Sequence, residues 1–368
     1  MIGRGIRILM TVDSVGGVWR YAMDLAAGLR REGVEIVFAG LGPAPSETQV
    51  SEARALGKLV WLDAPLDWMV TSRAEIAGAP DEIARIARDN AVDLLHLNLP
   101  SQAIGIDTPL PVVVVSHSCV VTWFAAVRGT PVPPDWAWQR DVNREGFDCA
   151  DSVLSPSESH AIALQATYGP ISRLRVVYNA SRIEAGQHPK KTFVFAAGRW
   201  WDEGKNGAVL DRAAAMMSLP VVVAGSSVGP TGQRLRFSNA DERGPLSHAK
   251  AVALMQCARI VVSPSVYEPF GLTALEAARC GAALVLSDIP TYRELWDGCA
   301  LFFDPYDPMS LASVCTRLND NAELRKELVT RSLARACAFN LERQAASVLE
   351  TYAHLTDHTL NLATAEQS

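Results

Sequence analysis

The 368-residue chain is short of several things, and each shortage excludes a class of protein. It has no apolar run near the ~20 residues that a membrane helix needs, no low-complexity tract and no repeat of fixed short period. Arg4 and Arg7 precede a short apolar run that no small-residue cleavage site follows, a pattern that predicts a cytoplasmic protein without an integral membrane segment. No two of its 7 cysteines form a Cys-x-x-Cys pair, and their number is odd, which predicts reduced thiols in the core. No Asp-x-Asp pair and no Cys/His cluster occurs, so the sequence predicts no metal site. Gly-x-Gly-x-x-Gly is absent, since Gly3-Arg-Gly5 precedes the first apolar run rather than following it. Positive charge is scarce as well: the formal net charge is -6, and lysine supplies only 6 of the 34 basic residues. Up to His188 there are 16 basic and 21 acidic residues, and beyond it 18 and 19. That balance argues against a nucleic-acid reader or a basic membrane face.

What is present is a series of short Val, Ile and Leu runs, at 6–11, 34–39, 92–97, 111–115, 174–178, 193–197, 220–224, 259–263 and 283–286. Such runs read as parallel strands buried on both faces. Between them lie segments of helical period, such as 18–32, where Val18, Ala22, Leu25, Ala26 and Leu29 share a stripe that closes before Gly33. The alternation predicts a doubly wound α/β fold. The polar stretch 180–192 divides the chain into two strand-bearing halves, and two such domains leave a cleft at the carboxyl ends of their sheets. The tail 340–360 reads as a long helix, and its His354 and His358 as exposed. Asn179-Ala-Ser181 matches a glycosylation sequon, but no secretion signal accompanies it.

The densest chemistry lies in Glu268-Pro-Phe-Gly-Leu-Thr-Ala-Leu-Glu276. Gly271 is placed to open a helix whose first amides lack intrahelical partners and can hold a phosphate. Two carboxylates beside an anion site suit a ligand that joins phosphate to hydroxyl groups. The same spacing fits a solvated Glu268 followed by a Glu276 favoured by the helix dipole. In Gly198-Arg-Trp-Trp-Asp-Glu-Gly-Lys205-Asn206, Arg199 and Lys205 are two cations at a strand end that can clamp a diphosphate; a merely solvated lysine is the alternative. Gly16 and Gly17 follow the first strand at a helix start, either approaching a ligand or making a tight turn. His117 ends the 111–115 strand, and His96 ends another with Asn98 two positions on. Each is placed to meet a hydroxyl or to pack in the core. Trp19, Trp123, Trp136, Trp138, Trp200 and Trp201 cluster in these loops, as rings for a sugar face or as domain packing.

VVSPSVYEPFGLTALEAARCGAALVLSDIP (261–290), with its Glu-x7-Glu pair, resembles the signature of the retaining glycosyltransferases of family 4. GRWWDEGKN (198–206) resembles their Gly-Arg-x5-Lys loop; VGGV (15–18), His117, VVYNAS (176–181) and ERGPLSHAKAVALMQCA (242–258) extend the likeness along the chain. The resemblance implies GT-B architecture: two Rossmann-like doubly wound domains facing across a cleft, here 1–182 for the acceptor and 190–344 for a nucleotide-diphosphate sugar, UDP or GDP type. A final helix, about 345–368, packs back on the first domain. By position it implies Arg199 and Lys205 on the diphosphate, Glu276 on the ribose and Glu268 on the donor sugar, with His117 beside the reacting carbon. Gly16 and Gly17 approach the phosphates, Gly244 and Leu246 border the base, and amides of Phe270, Gly271 and Leu272 hold the anion. His96, Asn98 and Trp123 are the acceptor-side candidates. It further implies a metal-independent enzyme without a cofactor, whose acceptor is a small molecule or saccharide attacked on the face the leaving phosphate departs from. Asn179-Ala-Ser-Arg, Asn98 and the Trp200-Trp201 pair depart from the usual pattern. A GT-B nucleotide-sugar epimerase and a non-catalytic nucleotide-sugar-binding module are the alternatives.

Overall fold

The computed structural model describes residues 5–230 and 232–365, with side chains to Thr356. Gly3, Arg4 and the side chain of His358 lie outside this range. The chain forms two compact units: one takes residues to Ala125, Gly129–Ala180 and the chain from Leu341, the other Ser181–Asn340 with Ala126–Arg128.

In the first unit a seven-stranded sheet runs in the order β3-β2-β1-β4-β5-β6-β7. Its strands are β1 (Arg7–Asp13), β2 (Glu35–Leu41), β3 (Lys58–Trp61), β4 (Leu94–Leu97), β5 (Val112–Val115), β6 (Ser152–Ser155) and β7 (Leu174–Val176). Every pairing is parallel. The four valines of β5 are all buried, each stabilising the unit by roughly 1.5–3 kcal/mol relative to exposure. The chain winds outward from β1 in both directions, so the strand order reverses between β1 and β4, where a doubly wound sheet opens a crevice at its carboxyl ends. The helix Gly17–Arg31 starts directly after β1 and buries Trp19, Ala22, Met23, Ala26 and Leu29. The final helix, Leu341–Ala365, packs Ala345, Val348 and Tyr352 into the same cluster. Gly28 makes the close approach possible, because a Cβ there would stand 3.0 Å from the Leu341 carbonyl.

The second unit has six parallel strands in the order β10-β9-β8-β11-β12-β13. They are β8 (Lys191–Ala197), β9 (Val221–Ala224), β10 (Asp241–Glu242), β11 (Ala258–Ser263), β12 (Ala283–Ser287) and β13 (Leu301–Phe303). Here the order reverses between β8 and β11. Each of the nine predicted strands is present, with ends shifted by a residue or two. Four strands escape the sequence pattern for local reasons. β3 and β10 are sheet edges with polar or exposed residues, β6 carries serine at both ends, and β13 has three residues.

The cysteines correct one expectation. All seven are free, but only Cys280 and Cys315 are buried, while Cys149 and Cys337 are exposed. Asn179 is 4% exposed, so the sequon is sealed in the fold, and His354 is exposed as expected.

Candidate functional site

In the second unit the loops that leave β8 and β11 meet at the reversal point. The Val266 N–H donates to the Gly204 carbonyl at 2.9 Å, and Asn206 Nδ2 donates to the carbonyls of Pro264 (3.0 Å) and Pro305 (2.7 Å). Asp202 accepts from the Gly204 N–H at 2.9 Å and so folds the tip of the first loop. These bonds bring Lys205 against Glu268, Nζ to Oε2 2.6 Å, with 19% and 16% of the two side chains exposed. Lys205, expected on phosphate, and Glu268, expected on the donor sugar, neutralise each other in the structure. Arg199 is more open, lies 3.5 Å from Asp202 and places its guanidinium 5.4 Å from the centre of the Trp201 ring.

Gly271 begins the helix Leu272–Arg279 in a left-handed conformation, φ +87°. A Cβ there would stand 2.6 Å from Tyr292 Cε1 and 3.3 Å from Glu268 Cγ, so only glycine lets the chain turn this closely. The buried Tyr292 hydroxyl bonds Ser263, and burial with Glu268 nearby raises its pKa well above 10. Phe270 is buried edge-on to Phe339, 5.7 Å between centroids, leaving its backbone amide and not its ring for a ligand. The first amides of the helix have no intrahelical acceptor. Within this helix Glu276 is buried and accepts from His248 Nε2 at 2.7 Å. Nothing in the sequence spacing ties His248, in the first turn of the helix His248–Cys257, to position 276. Gly244 sits past β10 with its carbonyl accepting from the Gly225 N–H at 2.8 Å, and Leu246 packs half-buried on the core.

In the first unit, Gly16 and Gly17 are exposed where the first helix begins, Gly16 at φ +106°. His117 is half-buried past β5, with Nε2 2.8 Å from Asn98 Oδ1 and its ring edge-on to Tyr21 at 4.3 Å. Burial, with His96 and His160 nearby, pushes its pKa down to about 3. His96 lies in the core rather than at a surface, its ring nitrogens held by the Tyr21 (3.1 Å) and Tyr352 (2.8 Å) hydroxyls, and burial lowers its pKa to about 3. Trp123 packs edge-on to Phe124. Of the clustered tryptophans, Trp200 is core: it is buried, donates to the Ala224 carbonyl and crosses Phe237 edge-on. Trp19 is also buried and donates to Glu52.

Two family models match the chain: Glycosyltransferase Family 4 over residues 15–184 and Glycosyl transferases group 1 over 243–334. The chain belongs to the family 4 glycosyltransferases. Among curated relatives, this family 4 chain is 30% identical over 112 residues to the serotype-specific mannosyltransferase WbdA of Escherichia coli, covering 30% of the chain and 14% of WbdA. It is 32% identical over 153 residues to a D-inositol 3-phosphate glycosyltransferase of Salinispora arenicola, 40% of the chain and 31% of that protein. The matched stretches thus span less than a third of either relative. Among solved structures, sucrose-phosphate synthase from Thermosynechococcus elongatus superposes with a TM-score of 0.79 at 17% identity, over 96% of the chain and 100% of that structure. HepE of Anabaena, solved with UDP and glucose, gives 0.72 at 14% identity over 95% and 100%. The fold of this family 4 chain is GT-B, two doubly wound parallel-sheet units. Among its described residues no helix is long and apolar enough to cross a membrane.

Proposed function

We propose that the protein is a metal-independent, retaining glycosyltransferase that moves a sugar from a nucleotide-diphosphate sugar to an acceptor hydroxyl. The observation that carries this reading is the arrangement at the reversal point of the second sheet. There, Lys205 and Glu268 pair at 2.6 Å beside the helix start at Gly271, and Glu276 lies buried further along that helix. Cleaving the anomeric bond builds negative charge on the departing diphosphate. Fixed cations at Lys205 and Arg199, with the helix-start amides, stabilise that charge more in the transition state than in the ground state. Glu268, already hydrogen-bonded to Lys205, accepts from hydroxyls of the donor sugar, and Glu276 from the ribose. In the first unit, the exposed Gly16 and Gly17 and the strand-end His117 are the candidates for substrate contact. HepE, of the same fold, was solved with UDP-glucose, which supports a nucleotide-sugar donor here. Retention follows when the acceptor hydroxyl attacks on the face the diphosphate leaves, passing its proton to the departing phosphate oxygen.

The test is to incubate the protein with a panel of UDP and GDP sugars, with and without EDTA, and follow nucleoside diphosphate release and the anomeric configuration of product by NMR. EDTA-resistant release with the α or β configuration conserved is expected. An isomerised donor, or a donor bound but unchanged, overturns the reading in favour of an epimerase or a binding module.

A further inference from the structure

Asn98, two positions after His96 at the end of β4, is held through its backbone N–H and both ends of its side-chain amide. Its backbone N–H donates to Thr11 Oγ1 at 2.7 Å, and its Nδ2 donates to the Thr11 carbonyl at 2.5 Å. Thr11 Oγ1 is free to accept because its own proton goes to Gln102 Oε1, 2.7 Å away. Turning the Asn98 amide over would set oxygen against the Thr11 carbonyl and lose a buried hydrogen bond. Oδ1 is therefore the atom that faces His117 Nε2 at 2.8 Å. An amide oxygen can only accept, so Nε2 carries the proton. In a neutral imidazole the lone pair is then on Nδ1, which has no hydrogen-bond partner among the described residues and is not sealed from solvent.

We propose that Asn98 is a positioning residue that locks His117 as its Nε2–H tautomer, so that His117 Nδ1 accepts a hydrogen bond from a substrate hydroxyl. The hydroxyl rests on the transferase reading above; the tautomer does not. The assignment sharpens what His117 does. It meets a hydroxyl as an acceptor, and it supplies neither a proton to the leaving group nor a positive charge to the diphosphate. The Tyr21 ring, edge-on at 4.3 Å, keeps the imidazole plane in place. Burial beside His96 and His160 keeps the ring neutral at neutral pH.

The test reads the tautomer directly. In the full chain labelled with 15N-histidine, long-range 1H–15N correlations of His117, assigned with His117→Gln, are recorded near neutral pH without ligand. A protonated Nε2 and a bare Nδ1 are expected; a proton on Nδ1 overturns the proposal. Asn98→Ala removes the acceptor and should give a mixture of tautomers, while Asn98→Asp should draw a second proton and give the imidazolium. If Asn98→Ala does not fold, the wild type and Asn98→Asp still decide. In the folded Asn98→Ala protein, donor turnover should fall about tenfold, the loss of one well-placed hydrogen bond, with nucleoside diphosphate affinity unchanged. A shifted tautomer with unchanged turnover overturns the role of Nδ1. A wild-type protein that turns over no nucleotide sugar overturns the ligand along with the transferase reading, and the tautomer is still read.

Discussion

Lys205 Nζ lies 2.6 Å from Glu268 Oε2, and this ion pair joins the loop after β8 to the loop after β11 alongside the backbone and Asn206 hydrogen bonds between them. Because both side chains are largely buried, neither charge can be removed without stranding the other. Lys205→Met should therefore destabilise the second unit by about 1–3 kcal/mol and also abolish most donor turnover. Adding Glu268→Gln removes the stranded charge, so the double variant should regain much of the lost melting temperature while remaining inactive. Recovery of turnover together with stability would show the pair to be only structural.

Gly271 carries a second structural demand, its φ of +87° and the Tyr292 ring 2.6 Å from where a Cβ would stand. Gly271→Ala should cost about 1–3 kcal/mol from the left-handed backbone and the ring displacement together. Because the helix start moves with Tyr292, nucleoside diphosphate binding should weaken too. Denaturant unfolding and calorimetric titration of the variant check both, and a wild-type unfolding curve refutes the backbone argument.

The parallel strands and the glycine-opened helix were legible because their signals are local. Four apolar residues in a row, as at Val112–Val115, can hardly be anything else. The positions of Arg199, Lys205 and Glu268 in loops at strand ends, and of Glu276 inside the helix that Gly271 opens, were legible because the chain pattern already located those elements. The pairings were not legible. His248 with Glu276 spans 28 positions, Lys205 with Glu268 spans 63, and Tyr352 with His96 spans 256, separations at which only the fold decides who meets. His96 shows the other limit: a histidine at a strand end reads the same whether it faces a ligand or two tyrosines. Tryptophan behaves likewise, since Trp200 and Trp201 are adjacent and only the second stays outside the core.

Buried neutral histidines make the first unit acid-sensitive. His96 and His160 have pKa values lowered from 6.5 to about 3 and about 4 by burial. Below 6.5 the unfolded chain takes up protons that the folded one does not, so stability rises with pH across this window. The contribution is complete above 6.5 and is lost as the pH falls toward the folded values. Each histidine contributes a slope approaching about 1.4 kcal/mol per pH unit inside the window. Asp67, whose pKa burial raises, acts in the opposite sense. The comparison is therefore between the wild type and His160→Gln, unfolded by denaturant at a series of pH values from neutral to mildly acidic. The variant should show the shallower loss, and parallel curves would mean that His160 is not held neutral.

Glu276 presents the last case, a carboxylate in the core of the second unit with His248 donating to one oxygen at 2.7 Å. The side chain of Glu276 is 8% exposed and that of His248 39%, so the histidine is the part that solvent and ligand reach first. On the transferase reading proposed above, a ribose diol has two protons to donate, and Glu276 offers its second oxygen and the remaining lone pair of the first. Glu276→Gln keeps the shape but puts a donor where the diol needs an acceptor, and should weaken nucleoside diphosphate binding about tenfold or more. His248→Ala leaves the carboxylate intact but removes the bond that orients it. It should weaken binding less, by a few fold, and mostly through a faster off-rate. The order of the two effects, read by calorimetry and stopped-flow displacement, is what the geometry commits to. If His248→Ala loses more affinity than Glu276→Gln, then His248 and not Glu276 is the group that holds the nucleotide.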